Sequence, residues 1–194
     1  GAELNAIGIW GFSHLAALRL AGRVREPGLT DAERSDLALR ALALEWYGTH
    51  FLQDTFASGH VAGTWGDTAL RKGTHDYYNA QGLSTITWNG KPVVLAGDTW
   101  MRREDLALTA RVARRSLETF LDALDPASPL ARAAAALEIP ADVLAEGIET
   151  CQGTVLPAIG GSATPELVDA LVSVLYETPV PGLGAGFGSL PRFR

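Results

Sequence analysis

TDAERSDLALRALALEWYGTHFLQD, residues 30–54, decides how this chain folds. Thr30-Asp31-Ala32-Glu33 reads as a capping box, in which a Thr side chain and a Glu three positions on satisfy each other's backbone N–H groups at a helix start. Leu37, Ala41, Leu44, Tyr47, Phe51 and Leu52 follow at helical spacing. The spacing predicts one long helix, with His50 and Asp54 at i and i+4 on the same face. That helix is expected to fray near Ser58-Gly59, just before His60.

Working outward, Leu4 to Ala21 carries apolar residues at helical spacing and closes at Gly22, a natural C-cap. Pro27 and Gly28 mark a loop. Residues 63–73, rich in Gly and Thr, read as a second loop. Thr85-Ile86-Thr87-Trp88 and Pro92-Val93-Val94-Leu95 flank Asn89-Gly90, a hairpin signal because the tight turn needs positive φ. Helical patterns return at Asp105–Leu124, Leu130–Leu137 and Ala141–Thr150, and again from Thr164-Pro165-Glu166 to Glu177. Pro179, Pro181, Gly182, Gly184, Gly186 and Gly188 then break any regular pattern. The expected fold is all-α, a multi-helix bundle with one small β-hairpin near residues 85–95. Residues 1–178 are expected to form a single helical metal-binding domain, and residues 179–194 a flexible Gly/Pro-rich tail.

The 194 residues are 47% hydrophobic and 20% charged, the balance of a globular chain able to bury a core. Net charge is −6, from 16 basic and 22 acidic residues. No basic run interleaves with aromatics, so an extended nucleic-acid groove is not expected. Arg103, Arg111, Arg114 and Arg115 read as the solvated face of a helix. Cys151 stands alone, which excludes an intrachain disulfide. No stretch is apolar enough for a membrane span. The only Met is Met101, so the chain is expected to begin inside a longer translated product. Oligomeric state is not legible.

The chemistry-bearing residues gather around the four histidines. His50, Asp54 and His60 form an H-x3-D-x5-H run, and imidazole and carboxylate are ligands that zinc takes. His14 lies in an apolar helical stretch, and His75 follows a Gly-rich segment. A three-ligand core with a position open to water is the general form of a catalytic zinc site. Glu45 stands about 140° round the helix from His50, which suits a structural role better than a shared ligand face. Asp76 either orients a ligand histidine or caps a turn. Asp98, after Gly97, is a turn residue or a further ligand. Trp65, Tyr77, Tyr78 and Trp88 either wall a pocket or pack the core.

The run Glu45-Trp-Tyr-Gly-Thr-His50-x3-Asp54-x5-His60, with His14 upstream and His75-Asp76-x-x-Asn79-x-x-Gly82-Leu83 and Gly97-Asp98 downstream, resembles the zinc-dependent phospholipase C superfamily, which also holds the zinc-dependent single-strand nucleases. The resemblance covers roughly residues 5–100. It implies an all-helical fold, zinc bound by His14, His50, Asp54, His60 and His75, and hydrolysis of phosphate esters with Asp54 as a metal bridge or general base. Asn79 stands where the phospholipases have Glu, and an amide is a poorer zinc ligand than a carboxylate. The family's N-terminal zinc-binding residue and an early Asp have no counterpart. One or two zinc ions are therefore expected rather than three.

The implied substrate is a small phosphoester or a lipid headgroup, since a net-acidic chain repels a polyanion. Relatives of this kind are commonly exported, which points to a secreted or envelope location. A different metal-dependent reaction on the same scaffold, or a non-catalytic helical subunit or interaction domain, is the alternative.

Overall fold

The computed structural model describes residues 6–62, 74–141 and 158–180. It is mostly helical, with one small antiparallel hairpin. Seven α-helices are seen among the described residues: α1 (Ala6–Arg23), α2 (Asp31–Asp54), α3 (Ser58–Val61), α4 (His75–Gln81), α5 (Arg103–Leu124), α6 (Pro129–Ala135) and α7 (Pro165–Leu175). Strands β1 (Leu83–Ile86) and β2 (Pro92–Leu95) form the hairpin, and a 3-10 turn covers Asp98–Trp100. Among the described residues no helix is long and apolar enough to cross a membrane.

The chain divides into two compact units, Gly1–Phe51 with Arg115–Ser173, and Leu52–Arg114 with Val174–Arg194. In the first, Leu18, Leu20, Ala41, Phe120, Leu130 and Leu167 build the core. The capping box forms as the sequence predicts. Thr30 donates from its N–H and its hydroxyl to Glu33 Oε2, each at 2.7 Å, and the Glu33 N–H returns to Thr30 Oγ1 at 3.3 Å.

Gly22 does not end α1, which runs on to Arg23. It is the point of closest approach to α6: a Cβ there would collide with the Ala131 carbonyl oxygen and stand 3.1 Å from the Ala135 nitrogen. Absence of a side chain, rather than freedom of φ, is what this glycine supplies. Arg19 Nε then donates to the Leu137 carbonyl at 2.6 Å, just beyond α6.

In the second unit, Leu83 pairs with Leu95 and Ile86 with Pro92 across the hairpin, and Gly90 in its turn has φ of 77°. The inner hairpin face, Leu83 and Leu95, packs against Val61, Ala62 and Tyr78. Residues 178–180 pair with residues 86–88, where β1 runs into the hairpin turn. Trp88 N–H donates to the Thr178 carbonyl at 3.0 Å, and Val180 N–H to the Ile86 carbonyl at 2.9 Å. The first residues of the expected tail are thus tied to the sheet, while residues 181–194 lie outside the described residues. So do residues 142–150 of the expected helix at Ala141–Thr150, and the loop at residues 63–73. Arg103, Arg111, Arg114 and Arg115 on α5 are all exposed, as a solvated face requires.

Candidate metal centre

α3 and α4 carry the centre. Thr74 caps α4: its side chain accepts from the Tyr77 N–H, and His75 becomes the first helical residue. His60 is the third residue of the four-residue α3, which starts where the sequence was expected to fray. Both helices belong to the second unit, and they bring the two imidazoles together edge to face, with ring centroids 4.8 Å apart and an interplanar angle of 85°. Nε2 of His60 and Nε2 of His75 face each other at 3.3 Å.

Three neighbours fix this pair. Asp76 Oδ1 lies 2.8 Å from His75 Nδ1. A carboxylate oxygen accepts, so Nδ1 is the donor in this contact, and Nε2 is the nitrogen turned toward His60 and the Asn79 amide. Asn79 is fully buried. Its Oδ1 accepts from the Gly59 N–H at 2.7 Å, which assigns the amide orientation, and its Nδ2 lies 3.2 Å from His75 Nε2. Ser58 Oγ donates to the Tyr78 carbonyl at 2.7 Å, closing the α3–α4 contact.

Glycines make the approach possible. A Cβ on Gly59 would stand 2.7 Å from His75 Cδ2, 2.7 Å from the His75 carbonyl oxygen and 2.9 Å from Asn79 Nδ2. A Cβ on Gly97 would run into Asn79 Oδ1 and stand 3.1 Å from the Ala57 Cβ. The Gly97 N–H itself donates to the Asn79 carbonyl at 3.2 Å. Asn79 therefore acts here as a clamp that joins α3, α4 and the Gly97 turn. Asp76 contacts His75 and also stands in the first turn of α4, so both readings of it meet at this position.

His14 and Glu45 meet elsewhere, inside the first unit, and both are wholly buried. His14 Nδ1 is 2.6 Å from Glu45 Oε2, and His14 Nε2 is 3.1 Å from Thr119 Oγ1. Ser116 Oγ donates to Glu45 Oε1 at 2.6 Å and accepts from Trp10 Nε1 at 3.1 Å. The Trp10 ring stacks on His14 with centroids 5.2 Å apart. Ser116 and Thr119 are members of this network that sequence reading missed, since nothing in a helix pattern signals a partner about a hundred positions away.

His50 is exposed on α2, edge-on to Phe51 at 5.4 Å. Asp54, the last residue of α2, is half-buried. Asp98 opens the 3-10 turn. Of the aromatics, Tyr78 is core, Tyr77 is half-buried and Trp88 is exposed, while Trp65 lies outside the described residues. Among the described residues, no group of three or more His, Cys, Asp or Glu side chains converges as a metal site would. Comparisons with family models, with curated proteins and with solved structures returned no match.

Two nitrogens bound to one tetrahedral zinc at about 2.0–2.1 Å stand about 3.3–3.4 Å apart. The His60–His75 separation of 3.3 Å fits that edge. Asp76 on the far nitrogen of His75 stands where a zinc-binding imidazole ordinarily has its outer partner.

Proposed function

We propose that this chain is a zinc-dependent hydrolase of phosphate esters, with His60 and His75 as metal ligands and Asp76 as the carboxylate that orients His75. The observation that carries the reading is the pair of Nε2 atoms facing each other across 3.3 Å, with Asp76 bonded behind one of them. Bound zinc supplies a Lewis acid and a water whose pKa is drawn down to about 7. The chain's own residues do the rest. Asp76 keeps the His75 proton on Nδ1, Asn79 holds Gly59 against His75, and Gly97 leaves room for Asn79. Asp54, in the H-x3-D-x5-H run, is the residue we assign to proton transfer or to a second metal. The substrate is a small phosphoester or a lipid headgroup.

The deciding measurement is zinc per chain by plasma mass spectrometry, on protein purified without added metal or chelator, followed by turnover of a chromogenic phosphodiester. Zinc in the wild type, its loss in His60→Ala and His75→Ala, and turnover that disappears with it are the expected results. Wild-type protein that carries no metal and takes up none on titration sinks the proposal. Zinc without turnover, and with a lowered melting temperature in both variants, points to a structural metal in a non-catalytic domain.

A further inference from the structure

α2 is apolar on two opposite sides. Its inner side, with Leu37, Ala41 and Leu44, packs into the core of the first unit. Its outer side carries Leu39, Leu42, Ala43, Trp46 and Tyr47, all exposed, on a stripe about 140° wide at about 100° per residue. Trp46 at 74% and Leu39 at 67% are the most exposed large apolar side chains among the described residues. A helix that is apolar all round is ordinarily a buried one, so this stripe is a contact surface.

Two features of the stripe select what covers it. The first is spacing. Asp36, Leu39, Ala43, Trp46 and His50, exposed throughout, step along α2 by alternating three and four residues, the repeat by which two helices seat side chains between one another. The second is charge. Asp31, Glu33 and Asp36 all stand in the N-terminal half, whereas between residues 41 and 51 the one carboxylate, Glu45, is buried and the exposed polar group is His50. The face is therefore complementary to its own reverse. Asp36 is met by Arg40 of its own helix at 3.6 Å and still keeps 65% of its side chain exposed. A lipid surface suits the face poorly: α2 carries five acidic residues against two basic ones, and lipid-binding helices line their polar flank with Lys and Arg.

We infer that the outer side of α2 pairs with the same side of a second copy, antiparallel about Ala43, in a two-fold dimer. In that register Trp46 seats between Asp36, Leu39, Arg40 and Ala43 of the second copy. Leu39 seats between Ala43, Trp46, Tyr47 and His50 of the second copy, and the symmetry repeats both contacts. Ala43, small and central, lets the helices close. His50 comes beside Asp36, an imidazole N–H beside a carboxylate. Parallel pairing instead sets Asp36 against Asp36 and aligns the two helix dipoles. The four large apolar side chains present on the order of 500 Å², below the roughly 800 Å² per partner of a standard interface, so the dimer exchanges with its monomer. The pairing assigns His50 to the interface. It does not rest on the hydrolase proposal, whose His60 and His75 belong to the other unit.

The test is sedimentation equilibrium of the full chain from low to high micromolar concentration, where a monomer–dimer equilibrium is expected. Trp46→Ser is expected to raise the dissociation constant about 100-fold, since a symmetric dimer loses the side chain twice. Ala43→Glu is expected to abolish the dimer by setting two carboxylates at the axis. Both positions are exposed, and circular dichroism checks that the variants fold. Cross-linking in a Cys151→Ser background reads the register. Ala43→Cys is expected to form a disulfide with its own copy under mild oxidation, and Glu33→Cys is not. His50→Ala is expected to weaken the dimer and leave zinc content unchanged. Wild type that stays monomeric at the highest concentration overturns the inference, and so does a folded Trp46→Ser protein that dimerises like wild type. A dimer that Ala43→Cys fails to link overturns the register, and a His50→Ala protein that loses zinc and keeps the dimer overturns the assignment of His50. A monomer that pellets with phospholipid vesicles until Trp46→Ser releases it gives the face to lipid and overturns the inference too. A dimer without metal or turnover leaves the pairing standing and removes only the hydrolase reading.

Discussion

Gly59 shows how much of the centre depends on an atom that is not there. Its missing Cβ lets the Gly59 N–H reach Asn79 and lets the His75 ring lie against the backbone. Gly59→Ala is expected to push His75 aside and weaken zinc uptake, measured by competition with a chromogenic chelator. Asp76→Asn, which removes the carboxylate behind His75, is expected to weaken zinc binding about 10–100-fold while the fold persists. Glu45→Ala belongs to the other buried cluster and acts on stability instead. It leaves the buried His14 Nδ1 and Ser116 Oγ without their Glu45 partner, and an unsatisfied buried polar group costs about 1–3 kcal/mol; chemical denaturation reads it directly. The H-x3-D-x5-H spacing was visible in the sequence, and so was the weakness of Asn79 as a ligand. The positive role of Asn79 was not visible, because its partners Gly59 and Gly97 stand 20 and 18 positions away and glycine leaves no apolar pattern to follow.

At the scale of elements, those that carry a cap, a turn signal or an apolar repeat were legible, short α6 and the hairpin included. α2 was predicted from its cap and its repeat, and it begins at Asp31, immediately after Thr30. Removing the cap tests the same logic: Thr30→Ala is expected to cost about 1 kcal/mol and to lower the melting temperature by about 2–4 °C for a chain of this size. α4 escaped notice because His75–Gln81 is largely polar and offers no apolar repeat, and its start rests on the Thr74 cap. Gly22 misled as to the cause. A glycine after an apolar run signals a helix end, and α1 does end one residue later, at Arg23, but what requires glycine here is the approach of α6.

At the scale of the whole molecule, acid stability has an identifiable contributor. Burial pushes the Asp105 carboxyl up, but hydrogen bonds from the Arg102 side chain and from the Arg102 and Ala96 N–H groups outweigh it, and the net shift is downward. A carboxyl held below its ordinary range contributes stability that is fully present above its unfolded-state value. That contribution is lost as pH falls through the lower folded-state value. Asp105→Asn is therefore expected to be less stable than wild type at neutral pH and to converge with it in strong acid, in melting curves taken across that range.

The pairing of residues 178–180 with residues 86–88 has a further consequence, for synthesis. Thr87 and Pro179 bridge across a separation of 92 positions. During translation this stretch leaves the ribosome long before the segment that covers it. Until that segment arrives, its unpaired N–H and C=O groups are a template for strand addition. Nascent chains stalled before residue 178 accordingly present the backbone of residues 86–88 uncovered.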